Sequence, residues 1–234
     1  MYLSKLLLNP RNKFVQRDLN DCQQIHQRLL SAFPKAESSA RAEFGLLFRI
    51  ENNPGQLYIL AQSKILPDWS NLPQGYLLQE PLCKDVSKLY TEEVLYENRY
   101  LAFRLRANPT RKIETKSLPN SIKQNGRRVE LYRKEEQVAW LQRKAAANGF
   151  RVCSLKIRKD TPNLNVNPEA KIYGVRYDKI SGKNKKLTFG SVLFEGELQI
   201  TNPQQFKKCL ENGIGSGKAY GFGLLSIANA YERS

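Results

Sequence analysis

The chain has 234 residues, enough for one large domain or two small ones with proper cores. Its 38 Lys and Arg against 22 Asp and Glu leave a net charge of +16, a field that draws polyanions. No apolar run reaches the length of a spanning helix, about 18 residues, and the opening MYLSKLLLNPR is too short and too quickly charged for a secretory leader, so the sequence predicts no membrane role.

Cys22, Cys83, Cys153 and Cys209 stand far apart with no C-x-x-C pair, which predicts reduced, mostly buried thiols in a cytoplasmic protein. His26 is the one histidine, so a His-rich metal site is excluded. No D-x-D or E-x-x-E cluster suggests magnesium, and neither a metal nor a cofactor is expected.

In chain order, YLSKLLL reads as a first strand. It is followed by a helix that Asn20 or Asp21 can cap, with Cys22, Ile25, Leu29, Leu30 and Phe33 on its apolar side and Pro34 ending it. FGLLFRIE and QLYILAQS form a hairpin through NNPG, Tyr76–Gln79 is expected as a last strand, and Pro81–Tyr96 as linker. The pattern then repeats. RYLAFRLRANP is an alternating strand, residues 110–131 are a basic excursion with turns at Pro119 and Asn125-Gly126, and EEQVAWLQRKAAANGF is a helix closed by Gly149. RVCSLKI is a strand; AKIYGVRYDKI and KKLTFGSVLFEGELQI form a hairpin through SGKN. A helix from Pro203 to Glu211, a glycine-rich loop and the strand FGLLSIA end the run. Two successive βαββαβ units, the first with a reduced second helix, predict an α+β protein of two tandem ferredoxin-like domains, residues 1–90 and 91–234. A single mixed α+β domain is the alternative.

The charge is uneven. Residues 1–90 carry 11 basic and 8 acidic side chains, whereas residues 91–234 carry 27 and 14. Residues 99–134 hold 11 basic and 2 acidic groups, residues 171–186 hold 6 and 1, and residues 143–159 hold no acid at all. A solvated face accounts for any one such block; three in one chain point to nucleic acid. Arg104 and Arg106, two apart on a strand, share a face where they can meet phosphates. Arg111, Lys112, Lys123, Arg127 and Arg128 line the excursion that follows.

The loop GIGSGKAYGFG, residues 213–223, carries Gly213, Gly215, Gly217, Gly221 and Gly223 around Lys218. It is neither a P-loop, since Asn212 and Ala219 occupy required positions, nor a dinucleotide fingerprint. It reads either as an anion-cradling backbone or as a tight turn needed for packing. Lys218 to Phe222 match four of the first five positions of the RRM aromatic signature, but Gly223 and Leu225 depart from it.

His26 lies in the first helix, about 40° from the centre of its apolar stripe at 100° per residue. Position alone fits a packing role. With RNA as ligand, an imidazole titrating near neutrality can move the proton that attack by a 2′-hydroxyl on the adjacent phosphate requires.

MYLSKLLLNP, RDL with His26 in the helix beyond it, FRLRANPTRK, EEQVAWLQRK, VLFEGELQI and GIGSGKAYGFGLLS resemble, in that order and over nearly the whole chain, the CasE family of CRISPR repeat-processing endoribonucleases. The resemblance implies two ferredoxin-like domains and metal-independent cleavage at the 3′ base of the repeat hairpin in precursor CRISPR RNA. The implied products end in a 5′-hydroxyl and a 2′,3′-cyclic phosphate. It also implies His26 as the proton-transfer residue, a glycine loop near the RNA with Lys218, a basic hairpin gripping the stem, and retention of the product inside the Cascade complex with its other subunits. The family places a tyrosine three residues before the histidine, where this sequence has Gln23. Gln23 neither gives nor takes a proton, so the resemblance leaves two readings: support from Tyr2, Lys5 or Lys218, or His26 acting with only neutral hydrogen bonding from Gln23. A stem-loop binder that does not cleave, and a basic structural protein of a ribonucleoprotein particle, are the rival classes.

Overall fold

The structure is a computed structural model, in which residues 1–35, 40–113, 128–154, 162–178 and 182–230 are described. The first strand, β1 (Tyr2–Leu7), leads into α1 (Lys13–Leu19) and α2 (Cys22–Leu30), then α3 (Ala40–Phe44), β2 (Leu47–Asn53), β3 (Gln56–Ser63) and β4 (Leu82–Asp85). The four strands form an antiparallel sheet in the order β2-β3-β1-β4. Alternation sets its faces: Ser4, Leu6 and Leu8 are buried, and the two leucines join Ile25 and Leu29 of α2 in one core with Phe48, Ile59 and Tyr76.

The second half runs β5 (Tyr100–Ala107), β6 (Thr110–Lys112), β7 (Arg128–Glu130), α4 (Lys134–Ala146), β8 (Phe150–Val152), β9 (Leu164–Asp178), β10 (Lys183–Ile200), α5 (Pro203–Asn212) and β11 (Leu225–Asn229). Its main sheet has the order β11-β5-β10-β8, the first sheet's arrangement read from the other edge. Leu101, Phe103 and Leu105 of β5 bury one face against Trp140 and Leu141 of α4 and Phe206 and Leu210 of α5. The fold is therefore α+β with two ferredoxin-like sheets, and the second helix of the first is reduced to a 3₁₀ turn at Trp69–Asn71.

Two extensions leave the second sheet. β9 pairs with β10 from Leu164↔Gly196 to Asp178↔Lys183, with a register shift between Phe189 and Ser191 that bends the pair. β6 and β7 form a separate two-stranded arm. Glu130 of that arm sits where a side chain on Gly190 would be, and its carboxylate is 3.2 Å from Lys171 Nζ, which fixes the arm to the β9–β10 pair.

Some expectations are corrected. Residues 13–19 form a short helix outside the sequence expectations; its buried residues are Val15 and the charged Asp18. Asp18 is fully buried and held by Arg17, Arg28 and the Tyr76 hydroxyl. α2 ends at Leu30, before Pro34. The last strand of the first sheet falls at Leu82–Asp85, inside the stretch read as linker; of Tyr76–Gln79, Leu77 makes a bridge to Leu8. The strand expected from Arg151 is short, Phe150–Val152, and β9 starts at Leu164 rather than Ala170. The turns at Pro119 and Asn125-Gly126 lie outside the described residues. All four cysteines are free, Cys22 and Cys209 buried and the other two half-buried. Among the described residues no helix is long and apolar enough to cross a membrane.

Candidate functional site

The two sheets meet through Arg49. This β2 side chain is 3% exposed, and its guanidinium donates to Glu51 Oε1 at 2.5 Å, to the Arg104 and Leu224 carbonyls at 3.2 and 3.1 Å, and to Ser226 Oγ at 3.0 Å. Burial pulls its pKa down, and the Glu51 carboxylate opposes that pull. Arg104 and Arg106 share a face of β5, as alternation requires, and that face meets carboxylates of distant strands. Arg104 pairs with Glu195 at 2.8 Å and Glu51 at 3.3 Å; Arg106 forks onto both oxygens of Glu169 at 2.6 and 2.7 Å and also donates to the Ile50 carbonyl. Burial alone would raise the Glu169 carboxyl, but hydrogen bonding and charge from Arg106 outweigh it and hold the group below the usual carboxylate range. Both arginines are committed to the junction, and no nearby sequence signal reveals those partners.

α2 carries His26 to the edge of this junction. Asp21 caps the helix through the Gln23 N–H at 2.9 Å, and the same oxygen accepts from the Val175 N–H of β9 at 3.3 Å. The close seat needs Gly174: a Cβ there would lie 2.7 Å from Asp21 Oδ1 and Cys22 Sγ. Burial, with Asp21 beside it, pushes the Cys22 thiol up to about 12, which keeps it protonated and unreactive at neutral pH. His26 is half-exposed, at the rim rather than in the apolar interior. Gln23 Oε1 is buried and accepts no hydrogen bond among the described residues.

The glycine loop meets the helix there. Tyr220 points its ring edge-on at His26, with centroids 6.1 Å apart and planes at 68°, and stacks on Phe189 of β10 at 4.9 Å. Gly217 and Gly221 bracket the 3₁₀ turn Lys218–Tyr220 with φ of 75° and 88°, where an L side chain is strained. A Cβ on Gly221 would also lie 3.2 Å from Phe48, and one on Gly217 2.9 Å from Phe222. Packing thus accounts for these two glycines, which hold Lys218 and Tyr220 against α2 and β2. Gly213, Gly215 and Gly223 likewise press on Leu47, Trp140 and the Ile214 carbonyl.

The other predicted residues distribute as follows. Lys5 lies on the face of β1 opposite the buried Ser4 and Leu6, with its ammonium 4.5 Å from the Tyr58 ring centre and 3.4 Å from Gln56 Oε1, so the sheet turns it away from α2. Tyr2 opens β1, paired with Ser63 and Asp85. Arg111, Lys112 and Arg128 are exposed on the β6–β7 arm, with Lys112 directly opposite Arg128. Lys123 and Arg127 lie outside the described residues. Among the described residues no three His, Cys, Asp or Glu side chains gather as a metal site. Sequence reasoning missed Tyr220 as a neighbour of His26, and Phe189 and Arg176 as groups that act on Tyr220. The aromatic match at Lys218–Phe222 was the one available signal.

The family model described as "CRISPR associated protein" matches residues 1–229. Similar relatives include the CRISPR-associated endoribonuclease Cse3 of Thermus thermophilus, 33% identical over 97% of this chain and 100% of that one. Another is the CRISPR system Cascade subunit CasE of Escherichia coli K12, 32% identical over 97% and 99%. Among solved structures, Cse3 bound to a 19-nucleotide RNA superposes with a TM-score of 0.76 at 33% identity, covering 97% of this chain and all of that one. Thermus thermophilus Cse3 bound to an RNA representing a pre-cleavage complex gives 0.73 at 31%, over 97% and 98%. With a full-length family match and relatives above 30% identity, this chain belongs to the CRISPR-associated protein family.

Proposed function

We propose that the protein is an endoribonuclease that processes precursor CRISPR RNA and retains the cut hairpin within a Cascade complex in the cytoplasm. Its two domains are residues 1–90, which carry the catalytic helix, and 91–234, which carry the basic arm and glycine loop. The RNA supplies the nucleophile. At the 3′ base of the repeat hairpin a ribose 2′-oxygen loses its proton and bonds to phosphorus as the bond from phosphorus to the 5′-oxygen breaks. The leaving oxygen takes up a proton, giving 5′-hydroxyl and 2′,3′-cyclic phosphate ends. His26 transfers a proton at this step, and the atoms balance without metal, water or cofactor.

The stem is gripped by phosphate contacts from Arg111, Lys112 and Arg128 and, from the sequence between them, Lys123 and Arg127, because an A-form helix hides its bases in a narrow groove. Lys218, in the glycine loop two residues before Tyr220, adds positive charge.

The observation that carries the reading is the half-exposed imidazole at a junction that draws on both sheets, on a chain of net charge +16. The names of two relatives, one an endoribonuclease and one a Cascade subunit, support it. Incubating the pure protein with a host repeat hairpin in EDTA tests it. One cut ending in a cyclic phosphate is the expected result. An intact RNA in a stable complex would instead make the protein a stem-loop binder, the reading that Gln23 favours.

A further inference from the structure

Charge builds on the phosphate as the 2′-oxygen attacks, and a neutral donor close to it lowers the barrier without competing for the proton that His26 moves. The Gln23 carbonyl oxygen, one turn before His26, is buried and only accepts. The hydroxyl that the fold does bring to this place belongs to Tyr220.

Its position is set from three sides. Gly217 and Gly221 fix the turn in left-handed backbone at both ends, and the Tyr220 N–H closes it onto the Gly217 carbonyl at 2.8 Å. Phe189 stacks on the ring, and His26 meets it edge-on. The Arg176 guanidinium of β9, and Asp21 and Cys22 at the start of α2, lie within electrostatic reach of the hydroxyl. A guanidinium only donates, so Arg176 cannot take the phenol's own proton. Asp21 Oδ1 already takes the Gln23 and Val175 N–H groups.

We propose that Tyr220 is a catalytic residue of the cleavage reaction, its hydroxyl donating to a non-bridging oxygen of the scissile phosphate beside His26 while Arg176 polarises it. The inference rests on the ribonuclease reading above. Burial, against the opposing pull of Arg176, raises the phenol from its ordinary value, so it remains a donor throughout the neutral range and does not act as the base. Arg176 lends its charge through the phenol.

The test is single-turnover cleavage of a host repeat hairpin with protein in excess, comparing wild type, Tyr220→Phe and His26→Ala. Tyr220→Phe removes one oxygen and keeps both ring contacts. It is expected to bind the hairpin as tightly as wild type and to cut about 10²-fold more slowly, the loss typical of one transition-state donor. Replacing a non-bridging oxygen of the scissile phosphate by sulfur, a poor acceptor, is expected to slow wild type in one diastereomer and to have little further effect on Tyr220→Phe. A Tyr220→Phe rate within threefold of wild type overturns the proposal, and so does a slow variant that keeps the full sulfur effect, since that is the signature of a packing role. If wild type itself leaves the RNA intact and is indistinguishable from His26→Ala, the ribonuclease reading has failed, and the role of Tyr220 falls with it.

Discussion

Arg49 of the first sheet donates to the main-chain carbonyl of Leu224, 175 residues away, at 3.1 Å and out of contact with water. The same guanidinium reaches Ser226 Oγ and the Arg104 carbonyl, so one buried cation stitches β2 to β11 and β5. Replacing it by methionine leaves Glu51 with Arg104 alone and takes a donor from two carbonyls. An uncompensated buried group of this kind costs about 3–5 kcal/mol. Urea unfolding of Arg49→Met is expected to show a midpoint lowered to that degree, and an unchanged midpoint would mean the contacts carry no net stability.

His26→Ala separates binding from chemistry. The imidazole is half-buried at the rim, with Nδ1 shielded from solvent, and hairpin affinity is expected to stay within a few-fold while the cleavage rate falls by about 10² or more. Gel shift and single-turnover kinetics on the same preparation measure both. Full cleavage by the variant would remove the proposed mechanism.

The Arg106–Glu169 pair predicts an acid-sensitive junction. The folded state depresses the Glu169 carboxyl, so its contribution to stability is complete above the ordinary glutamate range and is lost as pH falls through the lower, folded value. Stability is therefore expected to decline below about pH 4.5. Glu169→Gln, which removes the titrating group, is expected to flatten that decline and to lower stability at pH 7. Thermal midpoints from pH 7 down to pH 3 measure it, and parallel curves for the two proteins would exclude Glu169 as the source.

Gly221→Ala tests the loop. A φ of 88° costs an alanine about 1–2 kcal/mol, and its methyl would meet the Phe48 ring at 3.2 Å. The expected result is a modestly destabilised protein in which Tyr220 leaves His26, with cleavage reduced more than hairpin binding. Equal loss of both would show that the loop serves the fold alone.

Much of the architecture was legible because it follows apolar alternation. β5 buries every second residue, and the hairpin at Asn53–Gln56 has the turn residues its geometry demands. What escaped lacks that signature. β4 has no buried residue in its four, so periodicity is silent there. α1 is only seven residues long and buries Val15 together with Asp18, and the second reads in sequence as a surface charge. The site was half legible. A lone histidine on a capped helix is visible locally, whereas the carboxylates that neutralise Arg104 and Arg106 lie 53 to 91 positions distant. Tyr220 reaches His26 only once the terminal loop has folded back onto the first helix, a contact no local pattern encodes.

That last contact bears on when the protein becomes competent. His26 and Tyr220 stand 194 positions apart (220 − 26), so a chain cut before the glycine loop keeps the strands of the first sheet and loses this ring contact. Under the proposed mechanism such a fragment lacks the Tyr220 donor and is expected to cut repeat RNA no faster than Tyr220→Phe.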